Sequence, residues 1–383
     1  MTARIEPFHA ISISRLAHRL SVAGRSIIHM EFGQPSTGAP AAAIAVAHHV
    51  LDTDGMGYWE SPLLKARIAR HYRERYGVTV TPDRIILTCG ASPAFVLALS
   101  SAFAPGDRVA LARPGYVAYR NSLRALHMEP VEIACGPEER FQLSAEALAK
   151  LDPAPQGVII ASPANPTGTI IPPDELRAIA VLCRARGIRI LSDEIYHGLS
   201  YAGATHSMLE EAPDALIVNS FSKYFSMAGW RLGWLVVPPE LVDAAFARVS
   251  NLFLTPPSLG QHAALAAFDC TEELEGHVET YRRNRALLLD ALPALGLSAI
   301  APPDGAFYIY ADVGHLTGDS LAFCTKLLED TGVATAPGID FDPVEGHRFM
   351  RMSFAVSTDR IEEAIARMIP WLAAMKEDAS RGI

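Results

Sequence analysis

Between residues 84 and 238 the chain alternates short apolar, β-branched runs with amphipathic stretches of helix length. This alternation restricts the fold more than any other feature. The runs are RIILTCG (84–90), RVALAR (108–113), PVEIAC (130–135), GVIIASP (157–163), IRILSDEIY (188–196), ALIVNSFS (215–222) and LGWLVVP (232–238). Between most of them lie segments such as SPAFVLALSSAF, YVAYRNSLRAL, SAEALAKL and PDELRAIAVLCRARG. Strands that are apolar at nearly every position need cover on both faces, and helical crossovers join parallel strands. The expected fold is therefore α/β, with a mostly parallel seven-stranded sheet between helical layers. Too few residues separate Ser222 from Leu232 for a crossover helix, so LGWLVVP is expected to run antiparallel.

The texture changes after residue 285. A helical stretch, RNRALLLDALPAL, leads to strand-like GAFYIYADV, a helix at SLAFCTKLLEDTG, strand-like VATAP and FMRMSFA, and a helix from Thr358. A chain of 383 residues is long for one core, which favours a large unit plus a smaller one. The expected division is 48–285 for a large domain, and 1–47 with 286–383 for a smaller α/β domain carrying the N-terminal arm.

Composition excludes several classes of function. The net charge is −9, and the densest basic cluster, YRRNR at 281–285, sits in a helical stretch and reads as a solvated face. Nucleic acid and anionic membrane are not expected partners. The five cysteines are scattered without C-x-x-C, the thirteen histidines show no metal-ligand spacing, and no metal is expected. No signal-peptide core is present in MTARIEPFHAISISRL, and no apolar run approaches about 18 residues, so the expected location is the cytoplasm. Dinucleotide, P-loop and G-x-S-x-G signatures are absent.

Ligands of open parallel sheets bind at the carboxyl ends of the strands. Those ends carry Gly90-Ala91-Ser92, Asn165 to Gly168, Asp193 with Tyr196, and Ser220, Ser222 and Lys223. Taken singly each has an ordinary explanation: a capped helix start, a turn, a surface lysine. Together they place a phosphate-friendly helix start, an amide, an acid, a phenol and an amine on one edge. A lysine kept dry there is a neutral amine, able to attack a carbonyl and form an imine.

SPANPTG, SDEIYHGLSY and SFSKYFSMAGWRLGW, with Asp193 lying 30 residues before Lys223 and Arg231 eight after it, resemble the signature blocks of fold-type I pyridoxal-phosphate aminotransferases of classes I and II. The similarity runs from MEFGQPSTGAP to FMRMSFAVS, nearly the whole chain. It implies an aspartate-aminotransferase-like fold and pyridoxal 5'-phosphate as cofactor. Lys223 would form the Schiff base, Asp193 would pair with the pyridine nitrogen, and Tyr196 and Asn165 would bond the phenolic oxygen. Tyr116 would stack on the ring. Gly90, Ala91, Ser92, Ser220, Ser222 and Arg231 would hold the phosphate. Arg351 would grip the substrate α-carboxylate, helped by Asn165 and the backbone at Gly33. The family also implies a homodimer with shared sites, for which Tyr58 and Thr255 are candidates. Here the chain departs from the pattern, with Ser61-Pro62 where a glycine is expected and Lys65 for an arginine.

The resemblance thus implies exchange of an amino group between an L-amino acid and a 2-oxo acid. A β-C–S lyase, or another lyase of the same fold, would use the same residues and is the alternative. A non-catalytic pyridoxal-phosphate sensor is the remote one, for no basic helix-turn-helix precedes the fold. No second arginine is placed for a distal carboxylate, and IEPFHAISI reads as an apolar lid, so an apolar or aromatic donor is expected.

Overall fold

The computed structural model describes residues 5–381. Residues 1–4 and 382–383, the ends of the expected smaller unit, lie outside the described residues. The strands are β1 (Ile28–His29), β2 (Ile85–Thr88), β3 (Arg108–Arg113), β4 (Glu129–Ala134), β5 (Gly157–Ala161), β6 (Arg189–Asp193), β7 (Leu216–Ser220), β8 (Gly233–Val236), β9 (Tyr308–Asp312), β10 (Val333–Ala334), β11 (Ala336–Pro337) and β12 (Phe349–Ser353).

Seven strands form one sheet in the order β2-β8-β7-β6-β5-β3-β4. β8 is antiparallel to both its neighbours, as the short connection requires, and the other pairs are parallel. Side chains alternate across such a sheet, so each strand feeds two apolar layers. Ile85, Leu87, Val158, Ile160, Ile190, Ile217 and Val236 enter one buried cluster. Ile86, Ile159, Leu191, Leu216, Val218 and Leu235 enter another on the opposite face. Buried Trp234 closes the first layer and donates its indole N–H to the Tyr72 hydroxyl at 3.1 Å.

A separate core gathers around a three-stranded antiparallel sheet, β11-β12-β9, and the two-stranded pair β1-β10. VATAP, read as one strand, is divided between two sheets at Thr335. The helix Thr271–Leu295 begins twelve residues before the stretch that marked it in the sequence. Leu274 near its start packs in the large-sheet core, whereas Val278, Tyr281, Leu288 and Leu292 pack in the other. Residues 47 and 285, where the expected division falls, both lie inside helices. Among the described residues no helix is long and apolar enough to cross a membrane.

Ile217 is fully buried in the middle of the large sheet. Ile217→Ala is expected to destabilise the protein by about 2–5 kcal/mol and Ile217→Val by about 0.5–1.5 kcal/mol. Shifts of the urea unfolding midpoint, read by circular dichroism, check the order and spacing of the two.

Candidate active site

The carboxyl ends of β2, β5, β6 and β7 open onto a cavity of about 460 Å³. Of the residues marked in the sequence, Gly33, Ala91, Ser92, Tyr116, Asn165, Asp193, Tyr196, Ser222, Lys223, Arg231 and Arg351 all line it. Lys223 lies three residues after the end of β7, where the chain has left the strand for a turn. Its surface is covered only in part because it faces the cavity, yet the protein around it makes a charge costly. Burial, followed by the nearby Arg351 charge, lowers its pKa to about 8; Arg231 adds to this and Asp193 opposes it. Its Nζ donates to the Gly33 carbonyl.

Asp193 ends β6 and is buried. One carboxylate oxygen accepts from the Tyr119 hydroxyl at 2.5 Å and the other from the Ile195 N–H at 3.1 Å. Burial pushes its pKa up to about 6 against these donors and Lys223. Tyr119 was not singled out in the sequence. It lies three residues after Tyr116 on the helix that Tyr116 begins, so the spacing that puts two side chains on one helix face was the signal for it.

At one end of the cavity the helix Ala91–Ala102 begins at Gly90 with no side chain capping it. Its first N–H groups point where an anion could be held. Gly90 has φ +98°, and a Cβ there would come within 2.6 Å of Arg231 Nη2, so only glycine lets the guanidinium in this close. Arg231 donates to the carbonyls of Ala228 at 2.9 Å and Cys89 at 3.1 Å, which fixes its plane beside the helix start. Ser222 lines the cavity, whereas Ser220 stands behind it, its hydroxyl bonded to Ser222 Oγ at 2.8 Å and the Leu232 carbonyl at 2.9 Å.

Arg351 comes from the other core, on β12. It is 2% exposed, with Nη1 donating to Asn165 Oδ1 at 2.8 Å and Nη2 to the Glu31 carbonyl at 2.5 Å. Tyr308 and Phe341 flank it, their ring centroids 4.4 and 4.7 Å from its Cζ. Its Nε is buried without a partner. Tyr308 also donates or accepts a 2.6 Å bond with Tyr196 Oη and packs over Gly33, where a Cβ would collide with its hydroxyl. No spacing in the sequence links Tyr196 to Tyr308, 112 residues away. Tyr58 does not line this cavity and is 84% exposed, and Thr255 does not line it either.

This donor set suits the cofactor that the sequence resemblance implies. The uncapped helix start, the glycine cradle and the Arg231 fork match a phosphate; Lys223 matches an aldehyde; a buried carboxylate matches a protonated ring nitrogen. The unpartnered Nε of Arg351 and its two flanking rings match a second, carboxylate-sized anion.

Comparison with known proteins agrees with the geometry. The profile of the family described as aminotransferase class I and II matches residues 27–368. A valine–pyruvate aminotransferase of Mycobacterium tuberculosis is 48% identical, the match covering 97% of this chain and 98% of that one. A crystal structure of an aminotransferase from Mycobacterium tuberculosis superposes with a TM-score of 0.94 at 48% identity, over 97% of this chain and 98% of that one. The aspartate aminotransferase of Thermus thermophilus, solved with maleate, gives 0.89 at 32% identity, over 96% and 97%. The fold is thus aspartate-aminotransferase-like, and the chain belongs to the class I and II aminotransferases, enzymes that use pyridoxal phosphate to exchange an amino group between an amino acid and a 2-oxo acid.

Proposed function

We propose that this aminotransferase takes the amino group of a branched apolar L-amino acid, valine foremost, and passes it to pyruvate. The observation that carries this reading is the supply of charge. Three cationic side chains line the cavity, Lys223, Arg231 and Arg351, and each has a task in the chemistry common to all donors. That leaves no cation of this chain's described cavity lining for a distal carboxylate. Phe8, Phe32, Phe95 and Ile195 add apolar wall, beside the neutral amide of Gln34. A relative at 48% identity named for valine and pyruvate supports the same choice.

The residues divide the work as follows. Bound pyridoxal phosphate supplies an electron sink for the pair released when the substrate Cα–H bond breaks. Asp193 would hold a proton on the ring nitrogen by a charge-assisted hydrogen bond, and Tyr119 and the Ile195 N–H orient that carboxylate. Lys223 would hold the cofactor through its amine and, once free, is placed to serve as the base that takes the proton at the substrate Cα. Arg351 binds the α-carboxylate, with Asn165 and the Gly33 backbone beside it, and so fixes which Cα bond faces the lysine. Tyr116 would stack on the ring, and Tyr196 with Asn165 would bond its phenolic oxygen. Gly90, Ala91, Ser92, Ser222 and Arg231 would hold the phosphate, with Ser220 orienting Ser222.

We further take 48–285 as the cofactor-binding unit and 1–47 with 286–383 as the smaller one; two distinct apolar cores joined by the helix Thr271–Leu295 support two units, while Ala39, Ala43 and Ala47 pack with the large-sheet core. A homodimer is part of the reading. Exposed Ile44, Leu51, Met56, Tyr58 and Leu63 fall within one short segment, more apolar surface than a lone chain needs to show. Tyr58 and Thr255 would then serve the partner's site. Five free cysteines support a reducing, cytoplasmic setting.

A donor screen against pyruvate and 2-oxoglutarate tests the substrate. Turnover of valine with pyruvate is expected; turnover confined to aspartate with 2-oxoglutarate refutes the reading. Lys223→Ala should lose at least about 10⁴-fold in turnover and take no borohydride label, which mass spectrometry of the labelled peptide checks. Asp193→Asn should lose roughly 10- to 150-fold in kcat, the loss of one charge-assisted bond. Because burial raises the pKa of Asp193 above its unfolded value, its ionised form opposes folding above about pH 6. The cofactor-free asparagine variant should therefore be no less stable than the parent at pH 8, by thermal denaturation. Cofactor-free protein should capture pyridoxal phosphate faster as pH rises through about 8 and level off above it, because the neutral amine is the reactive form. Stopped-flow absorbance reads this; a rise continuing through pH 10 would mark an ordinary lysine.

A further inference from the structure

The stretch read in the sequence as an apolar lid is fixed to the large sheet by one residue. Glu6 accepts from Arg120 Nε at 2.8 Å and from Arg124 Nη1 at 2.7 Å. Its backbone is held as well, its N–H donating to Asn121 Oδ1 at 3.2 Å and its carbonyl accepting from Asn121 Nδ2 at 3.1 Å. All three partners lie on one helix, Val117–Ala125, which begins immediately after Tyr116. Burial works against the Glu6 charge, but Arg124 and Arg120 outweigh it and hold the carboxyl below its ordinary range.

Two residues further on, Phe8 turns its ring into the cavity, 6.3 Å from the Tyr116 ring at an interplanar angle of 73°. It also packs on the cluster containing Phe341, the ring that flanks Arg351. The helix His9–Val22 then starts on Asp340, whose carboxylate accepts from the N–H groups of His9 at 2.7 Å and Ala10 at 2.8 Å. Arg120 Nη2 donates to the Asp340 carbonyl at 3.1 Å. One guanidinium, 2% exposed, therefore bonds Glu6 at one end of the strap that carries Phe8 and Asp340, the anchor of its other end.

We propose that Glu6, clasped by Arg120, Asn121 and Arg124, is the positioning residue that holds Phe8 between Tyr116 and the Arg351 end of the cavity, where Phe8 selects donors with a branched apolar side chain. The proposal rests on the apolar-donor reading above and adds the residues that produce it. An aromatic wall at that place rewards a side chain that fills the space beside it, and each methylene in such a pocket changes selectivity by roughly 10- to 200-fold. Nothing in the arrangement acts on the reacting bonds, so the effect belongs to the choice between donors.

The test compares kcat/KM for valine with kcat/KM for alanine, pyruvate and 2-oxoglutarate serving as acceptors as each donor allows. Phe8→Ala should lower the valine-to-alanine ratio at least about tenfold, and Phe8→Leu should restore most of it. Glu6→Gln keeps the size of the side chain and should lower the same ratio about threefold or more through KM for valine. Hydrogen exchange gives a readout apart from turnover: amides of residues 6–10 should exchange faster in Glu6→Gln holoenzyme than in the parent. A ratio unchanged within twofold in Phe8→Ala and Glu6→Gln, or unaltered exchange in Glu6→Gln, overturns the proposal. A parent enzyme that turns over no apolar donor overturns the donor reading itself, a result distinct from unchanged ratios in an active parent.

Discussion

Loosening the proton of an amine inside a protein is the constraint on which this molecule is built. Water would keep Lys223 charged; the protein around it, with two guanidiniums nearby and only one carboxylate to favour the charge, lowers its pKa to about 8. The surroundings must then be rigid, because a mobile wall would admit water and restore the charge. Strands whose residues are buried on both faces supply that rigidity, and the turn after Ser220 presents the lysine from their edge. Arg351 adds a second condition. A buried cation needs partners, and here it finds an amide oxygen, a backbone carbonyl and two aromatic faces, which leave its fork in one orientation.

The two anchors come from different cores. Lys223, Asp193 and Asn165 belong to the large sheet, whereas Arg351, Tyr308 and Gly33 come from the neighbourhood of the small ones. Tyr196 bridges them, since it follows β6 yet packs within the second core and shares a hydrogen bond with Tyr308. The cavity is thus a seam, and its shape depends on how the two cores meet.

Much of this was legible in the residues. Continuous apolar runs fixed the seven strands to within a few residues, and the short link before LGWLVVP fixed its direction. Lys223, Asp193 and Asn165 were visible because they end or follow those runs, and Arg231 because it lies eight residues after Lys223 in the block that carries the family resemblance. Ser220 and Ser222 looked alike from spacing, but the strand stops between them and alternation no longer governs where a side chain points. β1, β10 and β11 are two residues each, too short for any period to register. The Tyr196–Tyr308 and Glu6–Arg120 contacts join residues more than a hundred positions apart, and only the folded chain brings them together.

The helix Thr271–Leu295 has a mechanical consequence. At 1.5 Å per residue its 25 residues form a rod of about 37 Å, seated in one core at its beginning and in the other along most of its length. A rod stiff against stretching sets the separation of the two bodies but leaves twist about its axis comparatively soft. The mounts of the amine and the guanidinium thus share one spacer whose length is fixed by its hydrogen-bonded turns.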